Sequence, residues 1–267
     1  MIYLDNAATT SPKPKAVIGA VTKALKDASA NPGRSGHSMS AAAAETVFDC
    51  RARAAGFFSA QNPEEVVFTK NCTEAVNMVL KGFLKPGDHV VTSSLEHNAV
   101  MRPLHKLTET GVEYDTAPVD LFDPEETARA FGRLMTKQTR LVICSHASNV
   151  LGVRLPVEQI GALCYERGVA FAVDAAQSAG VLPVDMEKMH IDFLCVAPHK
   201  GLYAPMGTGL LIAKKPLGTL LEGGTGTLSV SLEQPQGLPE RLESGTVNVP
   251  GAAGVAAGIG FVSQRPA

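Results

Sequence analysis

Four apolar segments of the chain are each followed by side chains that could take part in catalysis. His97 and Asn149 follow two of these segments. Asp174 ends a third segment, and His199 with Lys200 follows the fourth. The carboxyl ends of parallel strands meet in one crevice of an open α/β sheet, so these side chains are predicted to converge. Any one of them alone would more often be a surface group, and it is their joint placement that indicates a site.

A second binding feature follows the apolar segment EVVFT. Asn71, with Glu74 three residues later, is a capping pattern for the start of a helix. Thr73 adds a hydroxyl beside backbone N–H groups that have no partner inside the helix. Such a helix start can bind an anion, although a plain helix cap would use the same residues.

These groups together suit one cofactor. Asp174, at a strand end in a crevice of low dielectric constant, needs a cationic partner, and a protonated pyridine nitrogen supplies one. Lys200 in a dry pocket can form a Schiff base with an aldehyde. The helix start at Thr73 can hold a phosphate. An aldehyde, a pyridine and a phosphate together describe pyridoxal 5′-phosphate (PLP).

Short apolar segments alternate along the chain with longer amphipathic ones. The apolar segments are dense in Val, Ile, Leu and Phe, which is typical of strands buried on both faces of a parallel sheet. We predict strands at Glu65–Thr69, His89–Ser93, Arg140–Ser145, Ala170–Asp174, Asp192–Ala197 and Gly209–Ala213.

Helices are predicted between these strands. They cover Pro14–Ser29, Met39–Phe58, a segment that begins at Asp123 and Pro124, and Leu155–Arg167. Strands that alternate with helices in this way predict the α/β class with a mostly parallel sheet. From Pro216 onward the alternation fades, and residues 245–262 resemble the opening of a long helix.

Composition excludes several classes of protein. The 24 basic and 26 acidic residues give a net charge of −2, which offers no electrostatic attraction to nucleic acid or to an acidic membrane surface. No segment is long and apolar enough to cross a bilayer, and the N-terminus does not resemble a signal peptide. The five cysteines and seven histidines lack the spacing of a disulfide framework or a metal site. We therefore expect a cytoplasmic protein without a metal, a nucleic-acid partner or a membrane anchor.

Several motifs, in order, resemble those of the cysteine desulfurases, which belong to the class V aminotransferase family and to the fold-type I PLP-dependent enzymes. The resemblance covers nearly the whole chain. The motifs are YLDNAATTxxxP, NPGRSGHSMS, TKNCTEAVN, SSLEHNA, HASNVLG, VDAAQSAG, APHKGLYAPMGTGLL and ESGTVN.

The resemblance implies a fold and a division of the chain. The fold is α/β, with a mostly parallel, seven-stranded-type sheet sandwiched by helices, as in the large domain of fold-type I PLP-dependent transferases. Residues 1–15 would be the N-terminal segment of a small domain, and residues 16–250 would be the PLP-binding large domain. Residues 251–267 would begin the linker helix to a C-terminal small domain that is not part of this sequence.

The resemblance also implies roles for residues that match the family motifs. Lys200 would bind the cofactor as a Schiff base and move the α-proton of the substrate. Asp174 would pair with the pyridine nitrogen, and Gln177 would donate a hydrogen bond to the phenolic oxygen. His97 would stack on the ring and assist proton transfer. Asn149 would bind near the phenolic oxygen and the substrate carboxylate.

Other motif positions would hold the phosphate. Cys72 through its backbone, Thr73 and His199 would bind it from the same chain. Thr246 matches a threonine that reaches the phosphate of the neighbouring subunit, which implies a homodimer with sites at its interface. Arg34 lies in a motif that the family also brings near the site.

The activity implied is that of a PLP-dependent cysteine desulfurase, which takes sulfur from L-cysteine to give L-alanine and an enzyme persulfide. A sulfur-acceptor protein and a role in iron–sulfur cluster assembly would follow. In the family, the small domain carries the persulfide-forming cysteine and the arginine that binds the substrate carboxylate, and neither has a counterpart here.

None of the five cysteines is expected to replace the persulfide-forming one. Cys144 and Cys195 fall in predicted strands, and Cys50 and Cys164 fall in helical segments, where inert thiols are the norm. Cys72 lies at a helix N-terminus that could lower its pKa, but its expected role is through its backbone.

Two alternatives stay open from the sequence. A class V aminotransferase or a selenocysteine lyase would keep the cofactor and change the reaction. A truncated, non-catalytic chain that binds PLP or a partner would also fit a sequence that stops at Ala267 within a helical pattern. We expect binding of the cofactor ahead of turnover.

Overall fold

A seven-stranded sheet forms the centre of the computed structural model, which describes residues 2–33, 36–226 and 230–264. The strands are β1 (Val66–Thr69), β2 (His89–Ser93), β3 (Glu113–Ala117), β4 (Thr139–Ser145), β5 (Ala170–Asp174), β6 (Phe193–Val196) and β7 (Gly209–Ala213). Their spatial order is β1-β7-β6-β5-β4-β2-β3, and only β7 runs against the others. The mostly parallel sheet predicted from the sequence is therefore confirmed.

Helices cover both faces of this sheet. They are α1 (Lys15–Asp27), α2 (Ser38–Phe58), α3 (Cys72–Phe83), α4 (Asn98–Thr108), α5 (Pro124–Leu134), α6 (Val157–Glu166) and α7 (Val249–Ser263). Local sequence explains where several of them begin. The Asn71 side chain accepts from Glu74 N at the start of α3, and Asp123 accepts from Glu126 N at the start of α5.

Each strand divides its apolar side chains between two hydrophobic cores. In β2, for example, Val90 packs with α3 and α4, whereas Val91 packs on the opposite face with α2, α5, α6 and α7. Because both faces of the sheet are covered, neighbouring residues of one strand can all be apolar. This burial is the physical reason that the apolar segments mark the central strands.

Strand β3 is absent from the sequence-based prediction. Its sequence, EYDTA, is largely exposed, and it pairs only with β2 at the edge of the sheet. An edge strand needs no continuous apolar pattern, so the density of Val, Ile, Leu and Phe could not find it. The prediction also lacks α4, which carries Pro103 in its interior.

The chain between β7 and α7 forms no helix or strand within its described residues, in line with the fading alternation seen in the sequence. Helix α7 begins at Val249 and packs against α1 and α2. In the described ranges, no helix is long and apolar enough to span a membrane.

Candidate active site

The chemistry-bearing residues lie at the edge of the sheet where the parallel strands end. Ser145 of β4 pairs in register with Asp174 of β5, and Asp174 pairs with Cys195 of β6. Strand β1 is antiparallel to β7, and β7 is antiparallel to β6, so β1 also ends at this edge and leads into α3 there. The sheet thus delivers four loops and one helix start to a single crevice.

Asp174 lies at the floor of this crevice and is 5% exposed. Its Oδ1 accepts two hydrogen bonds, from Cys72 Sγ at 3.3 Å and from Ala176 N at 2.9 Å. Its Oδ2 has no donor among the described residues. A buried carboxylate is costly unless it is paired, so this second oxygen provides a place for a cationic group.

Lys200 lies in the same site, and its charge acts on the Cys72 thiol. Burial raises the pKa of Cys72 well above its ordinary value, and Asp174 raises it further, while Lys200 acts in the opposite direction. Within the described parts of the chain, the Lys200 amine has no hydrogen-bond or ion-pair partner. The carboxylate and the amine are therefore neighbours of one thiol without being paired to each other.

The start of α3 is capped by side chains and presents backbone N–H groups. Asn71 Oδ1 accepts from Glu74 N at 2.9 Å, and Glu74 Oε2 accepts from Lys70 N at 2.6 Å. This capping leaves the backbone N–H groups of Cys72 and Thr73, the first two residues of the helix, without an acceptor among the described residues. The Thr73 side chain is exposed at this helix start.

Strand β7 approaches the start of α3 closely. A Cβ added at Gly209 would lie 2.3 Å from Thr69 Oγ1 and 2.5 Å from the carbonyl carbon of Asn71. Only glycine leaves room here, so Gly209 allows β7 to support the backbone that presents the free N–H groups.

The N-terminal segment forms hydrogen bonds with the turn that carries Lys200. Thr10 Oγ1 donates to the carbonyl oxygens of His199 at 3.1 Å and of Lys200 at 2.9 Å. Lys13 Nζ donates to the same His199 oxygen at 2.9 Å, and Thr9 Oγ1 lies 3.1 Å from His199 Nδ1. Burial lowers the pKa of His199, and the charges of Lys200 and Lys13 lower it further. The sequence reasoning missed this contact, although Thr9 and Thr10 belong to a motif that it noted.

Lys200 and Gln177 line one cavity of about 680 Å³, together with Asn6, Ala7 and Thr10 of the N-terminal segment. The Gln177 side chain donates from Nε2 to the Ala7 carbonyl oxygen at 3.1 Å. Of the residues predicted for the cofactor, Gln177 and Lys200 thus line the same cavity, and both lie next to the N-terminal segment.

His97 and Asn149 lie on exposed loops after β2 and β4. His97 Nδ1 accepts from Ala99 N at 3.1 Å and so caps α4. Asn149 follows Ser148, whose hydroxyl accepts from Val150 N and Leu151 N in a tight turn. No direct contact joins either side chain to Lys200 or Asp174.

Thr246 lies near the start of α3 and away from the cavity of Lys200. Thr246 is exposed and lines a small cavity of about 150 Å³ with Lys70 and Glu74, beside the first turn of α3. Arg34 lies outside the described residues.

The structure buries all five cysteines as free thiols. The idea that the start of α3 lowers the pKa of Cys72 is wrong, because burial and the neighbouring Asp174 raise the pKa of this thiol well above its ordinary value. Among residues 2–33, 36–226 and 230–264, no three His, Cys, Asp or Glu side chains are grouped so that they could hold a metal ion.

Comparison with known proteins places this site in a family. The model of the family "Aminotransferase class-V" matches residues 2–266. A probable cysteine desulfurase of Methanothermobacter thermautotrophicus is 36% identical over 273 residues, which span 98% of this chain and 67% of the relative. The chain thus corresponds to about two thirds of that relative's length.

Solved structures agree with the sequence relatives. The apo structure of cysteine desulfurase from Thermococcus onnurineus NA1 matches with a TM-score of 0.90 and 36% identity, over 98% of this chain and 67% of that one. A structure of SspA in complex with cysteine matches with a TM-score of 0.83 and 28% identity, over 97% of this chain and 72% of that one. Because the family model matches nearly the whole chain and the sequence and fold relatives agree with it, this chain belongs to the aminotransferase class-V family, whose cysteine desulfurases it resembles.

Proposed function

We propose that this chain binds PLP in the crevice at the ends of β2, β4, β5 and β6 and serves a cysteine-desulfurase reaction on L-cysteine. The family consists of PLP-dependent enzymes, and the similar proteins described above are named for the desulfurase reaction or were solved with cysteine. The observation that carries the proposal is that Asp174 and Lys200 both lie next to Cys72 and are not paired to each other. Each is a charged group in the same site without a charged protein partner.

The residues of the crevice fit the three functional parts of PLP. Asp174 Oδ2 is free to accept a hydrogen bond from a protonated ring nitrogen, because both protein donors go to Oδ1. The free N–H groups of Cys72 and Thr73 suit a phosphate, which also gains from the positive end of the α3 dipole. The unpaired amine of Lys200 suits an aldehyde.

When bound, PLP supplies an aldehyde that condenses with amines and a ring that withdraws electrons from the bound amino acid. The chain's own residues position it and move protons. Asp174, held by Cys72 and Ala176, would keep the ring nitrogen protonated. Lys200 would hold the cofactor and then remove the proton from Cα of the substrate, as a general base.

The remaining sites are part of the same proposal. His97 would lie on the ring face, and Gln177 and Asn149 would bind the phenolic oxygen, with Asn149 also near the substrate carboxylate. His199 would join the phosphate site. The shared cavity of Gln177 and Lys200 supports the first of these amide assignments.

A homodimer is proposed because Thr246, which is exposed, matches a family threonine that reaches the phosphate of the neighbouring subunit. We also propose the domain division at residues 15 and 250, a sulfur-acceptor protein as partner, iron–sulfur cluster assembly as the process served, and a cytoplasmic location. The five free thiols are in keeping with that location.

The test of cofactor binding is the visible absorbance of the purified protein with PLP. Lys200→Ala should abolish the band of the lysine-bound cofactor, because Lys200 is the lysine that lines the cavity shared with Gln177. Lys81→Ala is the matched control, since Lys81 is exposed on α3, and it should keep the band. A band of unchanged intensity in Lys200→Ala would reject Lys200 as the anchor.

The test of the reaction is the release of alanine and sulfide from L-cysteine by the chain carrying PLP, with dithiothreitol present as the thiol that accepts the sulfur and reduces it to sulfide. Production of both supports the desulfurase. Amine transfer that requires a keto acid would replace it with an aminotransferase, and preference for selenocysteine would indicate a lyase. A band without turnover of any of these substrates would leave a chain that binds the cofactor and does not catalyse.

A further inference from the structure

Glu96 sits where the hydrogen-bonded ladder between two strands of the site stops. Strands β2 and β4 pair as far as Thr92 and Ile143. Beyond this point the backbone ladder is replaced by the Glu96 carboxylate, which bridges Ser93 and Ser145. The bridge lies at the crevice end of both strands.

The carboxylate of Glu96 uses both of its oxygens. Ser145 N donates to Oε1 at 2.9 Å and to Oε2 at 3.0 Å, and Ser145 Oγ donates to Oε2 at 2.9 Å. Ser93 Oγ donates to Oε1. Hydrogen bonds to a carboxylate are stronger than those between neutral groups, and three donors, one of them shared by both oxygens, hold the two strand ends together here.

The bridge connects directly to two residues of the candidate active site. Ser145 is the register partner of Asp174 on β5. His97 follows Glu96 in sequence and accepts from Ala99 N through Nδ1, which in the neutral ring places the proton on Nε2. Glu96 on one side and the start of α4 on the other therefore restrict where the His97 ring can lie.

We propose that Glu96 is a positioning residue, whose carboxylate ties the ends of β2 and β4 together and thereby holds His97 at the wall of the crevice. The inference rests on the proposed function in one respect, which is that His97 contacts bound PLP. The Ser-x-x-Glu spacing of residues 93–96 is the sequence signal of this bridge.

The experiment compares four variants of the full chain. Glu96→Ala removes the bridge, and Glu96→Gln keeps one acceptor oxygen and its shape. The double variant Ser93→Ala/Ser145→Ala removes both hydroxyl donors. Ser94→Ala is the matched control, because its hydroxyl accepts from Val119 N in the same loop without touching Glu96.

The first readout is the imidazole Cε1–H resonance of His97 in the cofactor-free chain, identified by its loss in His97→Gln. Glu96→Ala should shift and broaden this resonance, Glu96→Gln should restore most of its native position, and Ser94→Ala should leave it unchanged. The second readout is the dissociation constant of PLP, measured from the visible band. It should rise about tenfold in Glu96→Ala and less than about threefold in Glu96→Gln.

A native His97 resonance in folded Glu96→Ala would overturn the proposal. If Glu96→Ala does not fold, the double variant Ser93→Ala/Ser145→Ala decides, because it removes both hydroxyl donors of the bridge, and an unchanged resonance in it would overturn the proposal equally. Because the resonance is measured without PLP, its outcome does not depend on whether the Lys200 test supports the proposed function.

Discussion

At the scale of single residues, the protonation of Cys72 decides what Asp174 can do. A protonated thiol donates to Asp174 Oδ1, whereas a thiolate at 3.3 Å would repel the carboxylate. Burial and Asp174 itself raise the pKa of Cys72, so the thiol remains a donor at neutral pH. Cys72 therefore orients Asp174 and leaves its other oxygen for a ligand.

The same burial predicts that the native chain has no rapidly reacting thiol. All five cysteines are buried, and burial raises the pKa of Cys50 to about 12. The thiolate is the nucleophile, so Ellman's reagent should react only slowly with the folded chain. After denaturation in guanidinium chloride it should react readily with all five thiols. Fast modification of one native thiol would contradict this and would reopen the question of a sulfur-accepting cysteine within the chain.

At the scale of elements, a buried ion pair joins α2, β1 and the chain that leads to α7. Arg51 donates to both carboxylate oxygens of Glu243 at 2.9 and 2.7 Å, and Phe68 N donates to Glu243 Oε1 at 2.6 Å. The side chains of Arg51 and Glu243 are only 8% and 9% exposed. This contact anchors the segment that carries Thr246.

Removal of one partner should therefore be costly. We expect Glu243→Ala to lower the free energy of unfolding by about 3 kcal/mol or more, because it leaves the Arg51 guanidinium buried and unpaired. The matched control is Asp49→Ala, which breaks the exposed pair with Arg53 and should cost less than about 1 kcal/mol. Urea denaturation measures both, and equal losses in the two variants would show that the Arg51 pair contributes no more than a surface pair.

At the scale of the whole molecule, two groups near the site should oppose each other in the dependence of stability on pH. Burial lowers the pKa of His146 to about 4, with Arg154 lowering it further. Burial raises the pKa of Glu96 to about 7 against the effect of its hydrogen bonds, and Asp174 also raises it. As pH falls, His146 is protonated at a higher pH in the unfolded chain than in the folded chain. Glu96 is protonated at a higher pH in the folded chain than in the unfolded chain.

The signs follow from proton uptake in the two states. Between pH 6.5 and 4, His146 should remove up to about 3 kcal/mol of stability as pH falls, because the unfolded state binds its proton. As pH falls from 7 to 4.5, Glu96 should add a similar amount to the free energy of unfolding, because the folded state binds its proton. This contribution is lost as pH rises through 7.

Variants separate these two contributions. As pH falls from 7 to 4.5, the native chain should gain stability relative to Glu96→Gln. It should lose stability relative to His146→Gln as pH falls from 6.5 to 4. Chemical denaturation at a series of pH values measures both differences, and a difference that does not change with pH would refute the corresponding pKa shift.

The sequence alone is sufficient for the elements that local physics specifies. It predicts β2, β5 and β7 with the bounds that they have in the structure, because strands buried on both faces are dense in apolar residues. Cap residues place the starts of α3 and α5, and the ordered motifs identify the family. It cannot find β3, whose position at the sheet edge removes the need for an apolar pattern.

Only the tertiary structure decides which side chains meet. Cys72 and Asp174 are 102 residues apart in the chain, and Glu96 lies 49 residues from Ser145. Thr10 reaches His199 across 189 residues. These contacts depend on the spatial order β6-β5-β4-β2 and on the path of the N-terminal segment across the Lys200 turn. Local sequence patterns report the periodicity and capping of one element at a time, and they carry no information about the order in which elements pack.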